Sequence, residues 1–92
     1  MKKQILFHEL AEKDYTKLPE TVQNELDDLL NELAEEGLLR MPYARKLKGY
    51  NLFEIRIKKD GYWRVIYAYH SANSIVILSI FNKKSAKTPQ QE

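Results

Sequence analysis

Arg56 and Arg64 lie eight positions apart in a stretch that alternates apolar and polar side chains, so a hairpin can bring both guanidiniums together. A guanidinium offers forked donors to phosphate oxygens, and two of them facing one another suit a phosphodiester. Lys58, Tyr62, Phe81 and Lys83 fall on the same alternation. Lysine adds a compact charge there, and the two rings offer a platform for an unstacked base. Such a set can cleave RNA without a metal. The 2′-hydroxyl is the internal nucleophile, so the protein need only orient it, stabilise the phosphorane and move protons. A lysine among arginines gives up its proton more readily and can serve as base or acid. The plainer reading is the polar outer face of an antiparallel sheet.

The elements that must position this face are three strand-like runs, 52–58, 62–70 and 75–82, rich in β-branched and aromatic residues. In the first, Phe53, Ile55 and Ile57 point one way and Glu54, Arg56 and Lys58 the other. In the second, Trp63, Val65, Tyr67 and Tyr69 oppose Tyr62, Arg64, Ile66 and Ala68. Faces stay coherent only if paired positions sum to an even number. The loop is therefore Lys59-Asp60-Gly61, with Gly61 at its left-handed position, and it pairs Arg56 with Arg64 and Lys58 with Tyr62. Facing arginines on an exposed surface repel, and a diagonal Glu54–Arg64 contact relieves part of that strain. A tight turn within 71–74 then sets Val76, Leu78 and Ile80 beside Val65 and Tyr67. It places Phe81 beside Arg64 and Lys83 beside Tyr62, and it turns Asn82 away from the arginines.

The other half supplies the cover. Ile5, Leu6 and Phe7 read as a short strand over 4–8, followed by a helical pattern with Ala11, Tyr15 and Leu18 on one face. Pro19 suits the first turn of a second helix, and Val22, Leu26, Leu29, Leu30 and Leu33 form its apolar stripe. Gly37 is the expected stop. Those leucines should pack on Phe53, Ile55, Val65, Tyr67, Leu78 and Ile80. Residues 39–50 read as a basic connector. The fold expected is α+β, with order β-α-α-β-β-β: two helices on one face of a small, mainly antiparallel sheet.

Charge follows the same division. Residues 1–38 hold four lysines against ten acids, a balance of −6, whereas residues 39–92 hold eleven Lys and Arg against three acids, a balance of +8. One face thus suits a polyanion, and the acidic helices are ordinary solvated surface. Ninety-two residues are expected to form a single domain. There is no cysteine, and His8 and His70 lack ligand spacing, so no metal or cofactor is expected. His8 reads as a local hydrogen-bonding residue. No apolar run approaches the roughly 18 residues of a spanning helix, and the expected compartment is the reducing cytoplasm.

Local motifs add a resemblance. Lys46-Leu47-Lys48-Gly49, Leu52-Phe53-Glu54-Ile55-Arg56, Tyr62-Trp63-Arg64-Val65-Ile66-Tyr67 and above all Phe81-Asn82-Lys83-Lys84-Ser85-Ala86-Lys87-Thr88-Pro89 resemble the RelE/ParE superfamily of type II toxins. The resemblance is to its phage-related HigB-like branch. It implies a ribosome-dependent mRNA endonuclease (mRNA interferase) bound by a helix-turn-helix antitoxin, working on the ribosome and mRNA and away from membranes. By position, Arg56 and Arg64 would hold the scissile phosphate. Lys83, Lys84 and Lys87 would contact RNA or assist proton transfer, and Lys46 and Lys48 would touch ribosomal RNA. Two alternatives carry the same resemblance: a ParE-like inhibitor of DNA gyrase, and a phage RNA-binding domain without catalysis. Thr88, Pro89 and Gln91 look like the start of a C-terminal helix, expected here to be absent or truncated.

Overall fold

The computed structural model describes residues 2–39, 44–47, 49 and 51–83. The chain runs β1 (Gln4–Phe7), α1 (Glu9–Thr16), α2 (Glu20–Glu36), β2 (Ala44–Lys46), β3 (Phe53–Ile57), β4 (Trp63–Ser71) and β5 (Ser74–Asn82). The strands form one mixed sheet in the order β1-β5-β4-β3-β2, parallel only between β1 and β5. This is the expected α+β arrangement with one strand more. Inside the stretch read as a connector, Ala44, Arg45 and Lys46 pair antiparallel with Ile55, Glu54 and Phe53. Three residues, two of them charged, carry too little alternation to announce an edge strand.

Local chemistry sets the helix ends. His8 caps α1, its Nδ1 accepting the Leu10 N–H at 3.2 Å, which is the local role expected of it. Pro19 precedes the first residue of α2, and Gly37 ends that helix at φ 82°, donating its N–H to the Leu33 carbonyl. The Gly37 carbonyl in turn accepts the Tyr69 hydroxyl at 2.8 Å.

The stripe Val22, Leu26, Leu29, Leu30 and Leu33 is buried on the sheet with Ile55, Val65, Tyr67, Ile75, Ile77 and Ile80. Phe53 stacks on Tyr67, with ring centroids 5.4 Å apart. One expectation fails here. Val65 does pair with Ile80, but Tyr67 pairs with Ile77 and Tyr69 with Ile75, not with Leu78 and Val76. Leu78 is an extra residue between Ile66 and Tyr67, and His70 is a compensating extra residue before Ser71 pairs with Ser74. Ile75 and Ile77 therefore enter the core, while Val76 and Leu78 are half-buried outside it.

The hairpin has the expected register with a different turn. Ile57 pairs with Trp63, but the left-handed residue is Asp60 (φ 54°), with Gly61 following at φ 128°. Aspartate tolerates that conformation. Here Asp60 also accepts the Thr21 hydroxyl, and Lys59 meets Glu25 at 3.5 Å, so the turn is tied to α2. A Cβ on Gly61 would lie 3.0 Å from both Trp63 Nε1 and Asn82 Nδ2, which keeps that position small.

Candidate nucleic-acid interface

On the sheet face turned away from the helices, Arg56 of β3 stands directly opposite Arg64 of β4, and Phe81 of β5 stands opposite Arg64 on its other side. The Lys83 N–H donates to the Tyr62 carbonyl at 2.7 Å, which fixes Lys83 beside Tyr62. Five of the residues expected together are thus neighbours in two adjoining rows, Arg56–Arg64–Phe81 and Tyr62–Lys83. Tyr62 and Phe81 are exposed rings at the margin of the arginine row. Lys58 is exposed just beyond the end of β3. Asn82 pairs with Trp63 on the helix side, and its Oδ1 accepts the Tyr62 N–H at 3.2 Å.

Arg64 differs from expectation in one respect: it is 4% exposed rather than lying on open surface. What lets two facing guanidiniums coexist is Glu54. Its Oε1 accepts the Arg56 Nε–H at 3.0 Å, and its Oε2 lies 3.5 Å from Arg64 Nε. The second distance is close enough for strong attraction, but the geometry does not make a hydrogen bond, and Arg64 Nε is a buried donor without an acceptor. Arg64 Nη1 donates a long bond to the Trp63 carbonyl at 3.4 Å. Among the described residues the terminal nitrogens of Arg56 have no hydrogen-bond partner. One carboxylate between two guanidiniums leaves a local charge of +1, attractive to a phosphodiester without the repulsion of an unrelieved pair.

The structure adds one cation to this face. Arg45 pairs across β2 and β3 with Glu54, so it lies on the arginine face as an exposed side chain. Without the strand assignment, no alternation could separate Arg45 from Lys46. Lys46 pairs with Phe53 and so belongs to the opposite, helix-side face, at the exposed sheet edge. The structure does not bring it to the arginines. Lys48, Lys84 and Lys87 lie outside the described residues, as does the Thr88–Gln91 segment.

Among the described residues no group of three His, Asp or Glu side chains could hold a metal ion. The cleft of about 680 Å³ lined by Ile5, Phe7, Tyr15, Leu30, Asn31 and Ala34 lies on the helix side of the sheet, away from the arginines. Lys2, Lys3 and Asp27 also line it, and the Tyr15 hydroxyl donates to Asp27 at 2.5 Å. Burial first, and then that carboxylate, push the tyrosine pKa up to about 12.

Residues 13–92 match the family described as phage derived protein Gp49-like (DUF891). The chain belongs to this family. No curated protein is significantly similar in sequence. Solved structures show which fold this Gp49-like chain shares. A chain of the intact E. coli RelBE toxin–antitoxin complex is 26% identical, with a TM-score of 0.72 over 87% of this chain and 95% of that one. The isolated E. coli RelE toxin is 23% identical (TM-score 0.74, 98% and 88% covered). A chain of the archaeal RelE–RelB complex from Pyrococcus horikoshii OT3 is also 23% identical (TM-score 0.75, 94% and 100% covered). The fold of this Gp49-like protein is that of the RelE toxins. No helix among its described residues is long and apolar enough to cross a membrane.

Proposed function

We propose that this Gp49-like chain is the toxin of a type II toxin–antitoxin pair and acts as a ribosome-dependent mRNA endonuclease. The observation that carries the reading is the Arg56–Arg64 pair on the sheet face turned away from the helices, flanked by Phe81, Tyr62 and Lys83. In the reaction the RNA 2′-oxygen attacks the adjacent phosphorus and loses its proton. The P–O5′ bond breaks, and the 5′-oxygen gains a proton. The products are a 2′,3′-cyclic phosphate and a 5′-hydroxyl. The two guanidiniums donate to the non-bridging oxygens, where charge accumulates in the phosphorane. Tyr62 and Phe81 hold an unstacked base, Lys58 and Lys84 contact the backbone, and Lys83 and Lys87 serve proton transfer.

Ribosome dependence is what the resemblance to the RelE/ParE superfamily implies, and the chemistry of this face is compatible with it. With no histidine couple for efficient acid–base work, rate must come mostly from orientation, and an mRNA already held in the A site supplies it. Lys46 and Lys48 then meet ribosomal RNA. The partner that restrains the toxin is a helix-turn-helix antitoxin in a hetero-oligomeric complex, a reading supported by the likeness to chains of RelB-bound assemblies. The acidic outer side of α2, with Glu25, Asp28 and Glu32, is the surface assigned to it. Covering the arginines instead would require desolvating several carboxylates.

The test is incubation of purified protein with an mRNA, free or programmed on ribosomes. Cleavage only of the ribosome-held message supports the reading. Inhibition of gyrase supercoiling with both RNAs intact contradicts it and favours a ParE-like inhibitor.

A further inference from the structure

The geometry points to Glu54 as a positioning residue that aims Arg56 and Arg64 at a single phosphodiester. This inference rests on the RNA-binding reading of the arginine face. It goes further by assigning a role to the one carboxylate that β3 places on that face.

Glu54 is an unexpected residue at the centre of an anion site, because it weakens the field a phosphate would feel. Its geometry explains its presence. Each of its oxygens addresses the Nε edge of a different arginine, at 3.0 Å for Arg56 and 3.5 Å for Arg64. An arginine held by Nε keeps its terminal nitrogens available, as Arg56 does. Arg64 is restrained instead by burial, by the nearby carboxylate and by its long Nη1 bond to the Trp63 carbonyl. The side chain of Glu54 is 13% exposed and that of Arg64 5% exposed, so water screens this contact little. Arg45, paired with Glu54 from β2, adds a third cation beside the carboxylate.

The unmade bond at Arg64 Nε supports the same role. A buried donor without an acceptor is costly, and closing the gap to a normal hydrogen bond needs a shift of only about half an ångström. A phosphate on the outer nitrogens draws both guanidiniums toward one point and lets that bond form. Glu54 thus trades some electrostatic affinity for a common aim.

The test is a double-mutant cycle read in RNA affinity, using a short single-stranded 2′-O-methyl RNA that the protein cannot cut. Arg56→Lys and Arg64→Lys keep the charge and remove the fork, singly and together, in the Glu54 and the Glu54→Gln backgrounds. With Glu54 present, the double variant should bind about threefold or more away from the product of the single effects. In the Gln background the two effects should multiply. Glu54→Gln alone should bind RNA as tightly as the parent or more tightly, with a steeper salt dependence, because a negative charge has gone. Its cleavage of ribosome-held mRNA should fall about tenfold or more, for loss of alignment. A purely structural glutamate would lose binding and cleavage together, and that result overturns the inference. Independent arginine effects in the Glu54 background also overturn it, leaving the RNA-binding reading intact. RNA binding with coupled arginines but no cleavage sinks the endonuclease reading and leaves the positioning role standing. Failure of the parent to bind RNA overturns both.

Discussion

Glu54 reaches Arg56 and Arg64 with different oxygens, and its contact with Arg64 is nearly buried, with the two side chains 13% and 5% exposed. Removing the carboxylate leaves an uncompensated guanidinium in a dry position. Glu54→Ala should therefore destabilise the fold by about 3–5 kcal/mol, the cost of breaking a buried pair from one side. Urea unfolding measures it. A loss below about 1 kcal/mol would mean that the pair behaves like exposed surface charge.

The paired bulges predict an asymmetry between adjacent residues of β5. Ile77 is fully buried against Tyr67, whereas Val76 pairs with Ala68 on the other face. Ile77→Ala should cost about 2–5 kcal/mol, as deletions in a filled core do. Val76→Ala should cost well under half of that. Equal losses, measured by denaturant unfolding, would place Leu78 rather than Ile77 opposite Tyr67.

Tyr15 predicts an alkaline limit. Its folded pKa of about 12 exceeds the ordinary 10.0, because burial and the Asp27 carboxylate disfavour the phenolate. A raised pKa means that the fold prefers the protonated form. This contribution is fully present below pH 10 and is lost as pH rises from about 10 to about 12. Tyr67 is shifted in the same direction by burial, so its contribution fades in the alkaline range too. Asp27→Asn should lower the Tyr15 transition, followed through the ultraviolet phenolate band. An unchanged titration would show that burial alone sets it.

The sequence and the structure agree where alternation is unambiguous. Phe53, Ile55 and Ile57 oppose Glu54 and Arg56, so the Arg56–Arg64 register followed from parity. The helix stripe from Val22 to Leu33 was equally plain, since one apolar face at helical spacing has one solution. Residues 75–78, Ile-Val-Ile-Leu, are apolar at every position, and either face could be buried. The bulge at Leu78 makes a choice that parity could not. Arg45 and Lys46 looked interchangeable until pairing with Glu54 and Phe53 sent them to opposite faces. The burial of Arg64 was illegible for a different reason: alternation assigns a face but not how deeply that face is covered.

The proposed activity is cleavage of mRNA by the arginine face during translation. Primer-extension mapping of an abundant message in growing cells tests it most directly, comparing induction of the parent chain with an Arg56→Lys/Arg64→Lys double variant of equal abundance. Codon-phased 5′ ends are expected with the parent chain, absent when initiation on that message is blocked and reduced by about 10²-fold or more in the variant, as for loss of oxyanion donors. Growth arrest with intact messages, or cuts that persist unchanged in the variant, would contradict it.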